Sequence, residues 1–308
     1  FADNMWLISN IPNFITLGNL LCGCIGILFV LEGNLMAGAG LVFLAALLDF
    51  LDGFLARLLK SFSELGKQLD SLADMVSFGV LPAFILFKTI QFSLLTTGVN
   101  SVLSGDLSVV PGALGGTPFL APFLALLIPV FSAWRLAKFN IDTRQTHGFI
   151  GLPTPANALF FASLPFILRI FPAHFDLYSG PVTKGEGGVA DFIDLGAKIL
   201  GNMFSETASA SNYILPDNPA ARFFFNPYVL CALAPIMSFL LVSPLPLIGL
   251  KFKSFGLRGN ALRYLLIIGA VLLLILFQFA GIPLIIILYI LISLLEHFIK
   301  KNENNPHS

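Results

Sequence analysis

The chain carries little charge. Only 11% of its 308 residues are Asp, Glu, Lys or Arg, whereas 56% are hydrophobic. The mean hydropathy is +0.88. A soluble domain needs far more charged surface than this composition supplies. The scarcity of charge therefore excludes a soluble protein and indicates a membrane protein.

Cysteine is scarce as well. Cys22, Cys24 and Cys231 all fall within apolar runs, so we expect small core residues rather than a disulfide or a thiolate metal site. The alternating strands of a membrane barrel are absent. The first ten residues, FADNMWLISN, lack the charged start and the cleavage site of a secretory signal. We interpret residues 1–10 as an interfacial segment.

Long apolar runs cover most of the chain. A run of about 18 or more apolar residues can cross a bilayer core roughly 30 Å thick, and it satisfies its own backbone only as a helix. The sequence therefore predicts an all-α, polytopic membrane helical bundle with one membrane domain and about eight transmembrane helices. The predicted spans are 11–32, 36–59, 67–93, 117–141, 153–172, 227–250, 261–279 and 282–299.

The positions of Lys and Arg predict the orientation, because positive residues are retained on the cytoplasmic side of a membrane. With the N-terminus inside, most of the 17 Lys and Arg residues fall in cytoplasmic segments. An even number of spans returns the C-terminus to the cytoplasm. We therefore expect an inner (cytoplasmic) membrane protein whose segment 49–74 faces the cytoplasm, with outer loops at 94–116 and 173–226.

That segment, DFLDGFLARLLKSFSELGKQLDSLAD, holds four aspartates. Asp49 and Asp52 share one face of the second predicted helix, and Asp70 and Asp74 share one stripe of the third. The turn between them is short, so the two helices are expected to run antiparallel and adjacent. The spacing thus predicts that all four carboxylates converge near the membrane surface.

Converging carboxylates repel each other unless cations lie between them. Oxygen ligands without Cys or His favour Mg²⁺ or Mn²⁺, and four carboxylates suit two ions. Two metals about 3.5–4 Å apart are a known arrangement for phosphoryl displacement. A solvated charged turn is the alternative, but it does not explain four aspartates in helical register with glycines at matched positions.

Small residues occupy the same faces. Gly53, Ala56 and Gly66 remove side chains where a flat ligand could approach, although helix packing would explain one of them. Arg57 adjoins this face and is suited to hold a phosphate with its donor fork. Its alternative role is to mark the cytoplasmic boundary.

The pattern DxxDGxxAR, eight residues, then GxxxDxxxD resembles that of the CDP-alcohol phosphotransferases at every fixed position. The resemblance implies transfer of a phosphatidyl or similar group from a CDP-linked lipid to an alcohol, with release of CMP. It also implies two divalent ions held by Asp49, Asp52, Asp70 and Asp74, with Asp74 as the catalytic base. Gly53, Ala56, Arg57 and Gly66 would then bind the CDP group.

The same resemblance implies a domain division. The family shares a six-helix core, which we place at residues 11–250 after the interfacial segment 1–10. Residues 251–308 then supply two additional C-terminal helices and a cytoplasmic tail. A homodimer is also expected from the resemblance.

Four further stretches are similar to the phosphatidylserine synthase branch of this family. They imply CDP-diacylglycerol and L-serine as substrates. The stretches are IPNFITLGNLLCG at 11–23, LDSLADMVSFGVLPA at 69–83, RLAKFN at 135–140 and GLPTPANA at 151–158.

Several polar residues are secondary candidates. Arg135 and Lys138 are placed to meet a carboxylate or a lipid phosphate, or else extend to the interface as cations commonly do. Asn140 marks a polar junction near them, as does Thr154. Asn13, Thr16 and Asn19 share a face of the first helix, where they either contact the CDP group or hydrogen-bond a neighbouring helix.

We predict a direct displacement in which the serine hydroxyl attacks the lipid-bearing phosphorus of CDP-diacylglycerol and Asp74 takes the proton. No histidine falls in the motif, so a phosphohistidine route has no support. The nearer alternative is a related enzyme that uses glycerol 3-phosphate or inositol phosphate as acceptor. The more distant alternative is a cation-coupled transporter, whose broken helix pairs in inverted halves are not evident.

Overall fold

The structure is a computed structural model that describes residues 2–103, 120–141, 149–169, 219–248 and 260–304. These ranges are almost entirely helical, so the predicted all-α membrane bundle is confirmed. The helices are α1 (Ala2–Leu31), α2 (Leu35–Leu58), α3 (Glu64–Asp74), a π-helix (Met75–Val80), α4 (Leu81–Leu103), a 3-10 helix (Ala121–Leu126), α5 (Leu127–Ile141), α6 (Thr154–Arg169), α7 (Pro219–Phe224), α8 (Pro227–Val242), α9 (Ala261–Phe277), a second 3-10 helix (Gln278–Ala280) and α10 (Gly281–Asn304).

Five helical segments are long and apolar enough to cross a membrane: Asn10–Leu31, Leu35–Leu58, Glu64–Leu94, Ala121–Ile141 and Ala261–His297. Two shorter apolar helices, Thr154–Ile167 and Pro227–Val242, accompany them. The chain is therefore a multi-pass membrane protein. The predicted loops at 94–116 and 173–226 lie largely outside the described residues, and α4 continues past the predicted span end at 93.

The segment Ala261–His297 is a hairpin. Gln278 adopts a positive φ of 49° at the end of α9, where the helix direction changes. A Cβ added to Gly269 on α9 would lie 2.8 Å from Leu288 of α10, so the two arms pack side by side. Arg263 and Glu296 form a 4.0 Å ion pair at their open ends. The two predicted C-terminal spans are thus the arms of one hairpin.

Small residues bring α1 close to its neighbours. A Cβ added to Gly23 would lie 3.0 Å from the backbone of Ser77 in the π-helix, and one added to Gly26 would lie 2.5 Å from Leu81. Gly38 of α2 is in similarly close contact with Val30. Without glycine at these positions the helices could not approach this closely, which is how packing in membranes is usually achieved. These contacts fix α1 against α2 and the π-helix.

Two large apolar clusters form the core. One joins α4, α5, α6 and α8 around Ile90, Ile128, Phe161 and Leu230. The other joins α1, α2, α6 and the π-helix with α4, and it includes Val42, Phe78 and Leu81. Many large apolar side chains on the outside are exposed, as expected for a surface that faces lipid.

Contacts between helix ends define one end of the bundle. Lys67 near the start of α3 donates a hydrogen bond from its ammonium to the carbonyl of Asn140 near the end of α5. Arg135 on α5 donates to the carbonyl of Leu241 at the end of α8. A two-residue antiparallel pair, β1 (Phe149–Ile150) with β2 (Pro246–Leu247), lies beside them. These strands are the only ones in the described ranges, and nothing in the sequence predicted them.

Candidate active site

The turn between α2 and α3 positions the acidic residues. Lys60 in this turn has a positive φ of 52°, and the chain re-enters a helix after Ser63. The Ser63 hydroxyl accepts a hydrogen bond of 2.9 Å from the backbone N–H of Gly66, so it caps α3. A side-chain cap fixes where a helix starts. The cap therefore sets the register in which Asp70 and Asp74 follow on one stripe.

Three of the four predicted aspartates meet. Asp49, Asp70 and Asp74 each present a carboxylate oxygen, and these oxygens all lie within 4.8 Å of one another. Asp74 is buried, and the other two are half-buried. Asp52 is not part of this trio, but it is close enough for its charge to act on Asp49 and Asp70. We call the space between α2 and α3 that these four side chains line the acidic cleft.

The helices on either side of the acidic cleft have little direct packing against each other. α1 packs against both of them, so it closes the cleft from one side. The carboxylates of the two helices meet as the sequence predicts, and α1 packs along both helices.

Two polar residues of α1 reach into the acidic cleft. The Thr16 hydroxyl lies 2.6 Å from Oδ2 of Asp52 and donates to that carboxylate, with the carbonyl of Pro12 3.0 Å away. The Asn19 amide donates to Oδ1 of Asp74 over 3.3 Å. Thr16, Asn19 and both carboxylates are buried. One face of α1 therefore orients one aspartate from each side of the cleft, which supports the helix-to-helix interpretation of these residues.

The charge of the acidic cleft is not balanced by basic side chains. Within the part of the chain that the structure describes, no Lys or Arg forms an ion pair with any of the four aspartates. Asp49, Asp70 and Asp74 bring carboxylate oxygens within 4.8 Å of one another. Partly buried carboxylates cannot all carry charge at this separation unless cations or protons lie between them. The cleft therefore has the donor set of a divalent-cation site.

The proposed CDP-binding residues lie on α2 and α3, the helices that carry the aspartates. Arg57 is exposed, and its Nε donates to the carbonyl of Gly53 at 2.8 Å. A Cβ added to Gly53 would meet only this guanidinium, at 3.9 Å, so the surface there is open. Ala56 is half-buried on the same helix. Gly66 is tighter, because an added Cβ would lie 2.8 Å from Oδ1 of Asn13.

The remaining candidates divide between two places. Asn140 donates from its amide to the Ser71 hydroxyl at 2.8 Å, and Ser71 follows Asp70 in the chain. Arg135 instead donates to the carbonyl of Leu241 over 2.9 Å. Lys138 is exposed at the end of α5. Asn140 therefore lies against the helix that carries Asp70 and Asp74, whereas the recorded hydrogen bond of Arg135 joins α5 to α8.

Sequence reasoning missed several polar contacts. It did not assign roles to Ser71 or Lys67, which link α3 to the end of α5. It also gave no role to Asn157, whose fully buried side chain has no hydrogen-bond partner among the described residues. The motif GLPTPANA contains Asn157, but one sequence does not show which polar residue of a predicted span faces inward.

Comparison with known proteins identifies relatives over the N-terminal half. The sequence profile of a family described as CDP-alcohol phosphatidyltransferase matches residues 9–176. This range contains the whole acidic cleft and all the proposed substrate-binding residues.

Three curated relatives illustrate the similarity. A Bacillus subtilis protein named CDP-diacylglycerol–serine O-phosphatidyltransferase is 33% identical over 145 residues, which are 47% of this chain and 69% of that protein. A protein of the same name from Methanocaldococcus jannaschii is 32% identical over 49% of this chain and 58% of its own length. An archaetidylserine synthase from Methanothermobacter thermautotrophicus is 31% identical over 50% of this chain and 56% of its own length.

Proposed function

The chain belongs to the CDP-alcohol phosphatidyltransferase family, and on that premise we propose that it transfers the phosphatidyl group of CDP-diacylglycerol to the hydroxyl of L-serine. Membership confirms the family and the class of enzyme expected from the sequence. The products are phosphatidylserine and CMP. The choice of serine is supported by the printed names of the relatives, which include serine or archaetidylserine in both bacterial and archaeal proteins.

The observation that carries the proposal is the convergence of Asp49, Asp70 and Asp74, whose carboxylate oxygens lie within 4.8 Å of one another. Together with Asp52 they form an all-carboxylate donor set, which suits Mg²⁺ or Mn²⁺. We propose that these four residues hold two divalent cations. When bound, such ions neutralise the pyrophosphate and stabilise the negative charge that develops on the leaving CMP.

The chain's own residues supply the proton transfer. In the proposed reaction the serine oxygen forms a bond to the lipid-bearing phosphorus, the bond from that phosphorus to CMP breaks, and the serine proton passes to Asp74. Asn19 donates to Oδ1 of this carboxylate, so it orients the base without removing its charge. Thr16 orients Asp52 in the same way. No covalent enzyme intermediate is needed.

Substrate binding is proposed along the same surface. Gly53, Ala56, Arg57 and Gly66 would bind the CDP group beside the cleft. Asn13 and Thr16 of α1 were proposed with them. Asn13 lies against Gly66, which is compatible with this role. Thr16 already donates to Asp52, so any contact with the nucleotide would be an additional one.

The serine carboxylate, or a lipid phosphate, is proposed to contact Arg135, Lys138 or Asn140. Asn140 is supported by its hydrogen bond to Ser71, beside Asp70. Arg135 carries a positive charge that Asn140 lacks, but its guanidinium also donates to the carbonyl of Leu241.

The cellular setting remains part of the proposal. We place the acidic cleft at the cytoplasmic face of the inner membrane, because most Lys and Arg residues then fall on the retained side. A homodimer, the six-helix core at 11–250 and the additional unit at 251–308 are proposed from the family resemblance.

The deciding experiment is an acceptor panel. Purified protein is supplied with CDP-diacylglycerol and Mg²⁺ or Mn²⁺, and CMP release is measured with L-serine, glycerol 3-phosphate or inositol phosphate. We expect release with serine alone, and none from an Asp49→Asn control. Release with another acceptor but not with serine would reject the substrate while keeping the reaction. Ion flux in liposomes without CMP release would reject the enzyme.

A further inference from the structure

An apolar pocket lies between the core and the C-terminal hairpin. Its volume is about 800 Å³, and its walls come from α2, α6 and both arms of the α9–α10 hairpin. No charged residue lines it. The polar side chains among its lining residues are Gln278 and Tyr289. The Tyr289 hydroxyl donates to the carbonyl of Ile248 over 3.0 Å, so it is already occupied.

The pocket reaches from the protein surface into the interior. Leu266 and Ile286 on its walls are only 4% and 6% exposed. Ile267 and Leu274 also line it, and they are 40% and 44% exposed. Leu266 and Leu274 are eight residues apart on α9, which is about 12 Å along a helix. The shape is therefore an elongated apolar space that opens at one edge of α9.

The location of the pocket among apolar spanning segments indicates which kind of ligand fits it. The walls on α2 and on the hairpin belong to segments long and apolar enough to span a membrane, so the pocket lies at the depth of lipid tails. Water finds few polar partners there and does not occupy such cavities stably. An empty space of this size would forfeit the packing of every side chain that lines it. A flexible hydrocarbon chain has the shape and the apolar surface to supply that packing.

The pocket and the acidic cleft lie on different sides of α2. Phe43 lines the pocket, and Asp52 lines the acidic cleft on the same helix. The two residues are nine positions apart on α2, which is about two and a half helical turns and places them on opposite sides. The body of α2 therefore separates the pocket from the reaction site.

We propose that this pocket binds one acyl chain of a bilayer glycerophospholipid that does not react. The bound chain fills the space between α6 and the hairpin and holds the hairpin against the core. The inference does not depend on the proposed activity, because it concerns a separate surface and a ligand that is not consumed.

The test is photo-crosslinking in proteoliposomes. A phosphatidylcholine with a diazirine in one acyl chain is the probe, and labelled residues are mapped by mass spectrometry. We expect labels on Leu266 and Ile286, which lipid surrounding the protein cannot reach. In an Ala270→Trp variant, where an indole fills the pocket, these labels should fall at least about fivefold.

The matched control is Ile275→Trp, because Ile275 is on the same helix and is 72% exposed but does not line the pocket. It should leave the interior labels unchanged. Ala156→Phe fills the pocket from α6, and this variant replaces Ala270→Trp in the labelling test if Ala270→Trp does not elute as a folded protein. Absent labels on Leu266 and Ile286 in the wild type, or equal labels in a folded filled variant, would overturn the proposal.

Two further outcomes would also overturn it. If a diazirine-bearing CDP-diacylglycerol labelled Leu266 and Ile286 while the phosphatidylcholine did not, the pocket would belong to the reacting lipid. If a photoreactive amino acid placed at Ile286 crosslinked to a second copy of the chain and not to lipid, a second protomer would occupy the pocket. If the wild-type protein released no CMP but Leu266 and Ile286 were still labelled, the result would count against the proposed function alone.

Discussion

The acidic cleft and the apolar pocket are both spaces between spanning helices, but their walls differ in chemistry. The cleft is lined by four aspartates, two of them oriented by Thr16 and Asn19. The pocket has no charged lining residue. Both spaces border α2, which presents Asp52 to one and Phe43 to the other. A single helix thus separates the proposed site for cations and nucleotide from the proposed site for an acyl chain.

The acidic cleft and the apolar pocket differ in what must fill them. Carboxylates left without basic partners are costly within a membrane protein, so cations or protons must offset their charge. An apolar gap carries no such requirement, and lipid can fill it. Polar contacts should therefore matter for catalysis around the cleft and only for stability around the pocket. The expected effects below run from the largest to the smallest.

Asp74→Asn should cause the greatest loss. It removes the proposed base, whose contribution is typically about 10²- to 10⁴-fold, and it weakens the cation site. Asn keeps an oxygen that can accept the hydrogen bond from Asn19, so the fold should survive. CMP release is the measurement, with CDP-diacylglycerol binding by calorimetry as the control. Normal turnover would remove Asp74 from the mechanism.

Asp70→Asn should reduce turnover by about 100-fold or more, since loss of a hydrogen-bonding neighbour of a metal ligand alone costs 10- to 100-fold. It should also weaken Mn²⁺ binding, which electron paramagnetic resonance measures without turnover. Glu64→Gln is the control, because Glu64 is exposed on the same helix and outside the cluster. Unchanged Mn²⁺ affinity would show that Asp70 is not a ligand.

Thr16→Val should reduce turnover about tenfold, because Asp52 loses a buried hydrogen bond of 2.6 Å while the side-chain volume is kept. Thr16→Ser retains the hydroxyl and is the matched control. If both variants have wild-type CMP release, the contact between α1 and Asp52 does not contribute to turnover.

The convergence of the aspartates could be predicted because it follows from helical period and a short turn. Asp70 and Asp74 are one turn apart, and the link from α2 leaves little freedom. The role of α1 could not be predicted, since Thr16 and Asn19 fit a nucleotide contact as well as a helix contact. Only the observed packing places them on Asp52 and Asp74.

The apolar pocket could not be predicted at all. Its walls combine Phe43, Ala156 and Leu266, which are far apart in the chain and chemically ordinary for spanning helices. Hydropathy predicts that α9 and α10 are two consecutive apolar spans, but not that the hairpin they form lies beside α6. The tertiary position of an apolar residue is set by packing partners that no local pattern encodes.

Arg135→Ala should raise the KM for serine severalfold more than the KM for CDP-diacylglycerol, if this guanidinium meets the acceptor. The variant also loses a charge-assisted hydrogen bond to Leu241, which is worth about 1.5–3 kcal/mol. Steady-state kinetics and thermal unfolding separate the two roles, and Lys138→Ala tests the other candidate cation in the same assays. Lower stability with an unchanged serine KM would make Arg135 a link between α5 and α8 only.

Glu296→Gln should have the smallest effect, because it acts at the hairpin rather than at the cleft. Its ion pair with Arg263 is 4.0 Å long, at the limit of direct contact, so we expect a loss of about 1 kcal/mol or less in unfolding free energy. Turnover should remain at the wild-type level in CMP-release assays. A large loss of turnover with an intact fold would mean that the hairpin acts on the reaction site, and the separation of the two regions by α2 would then be wrong.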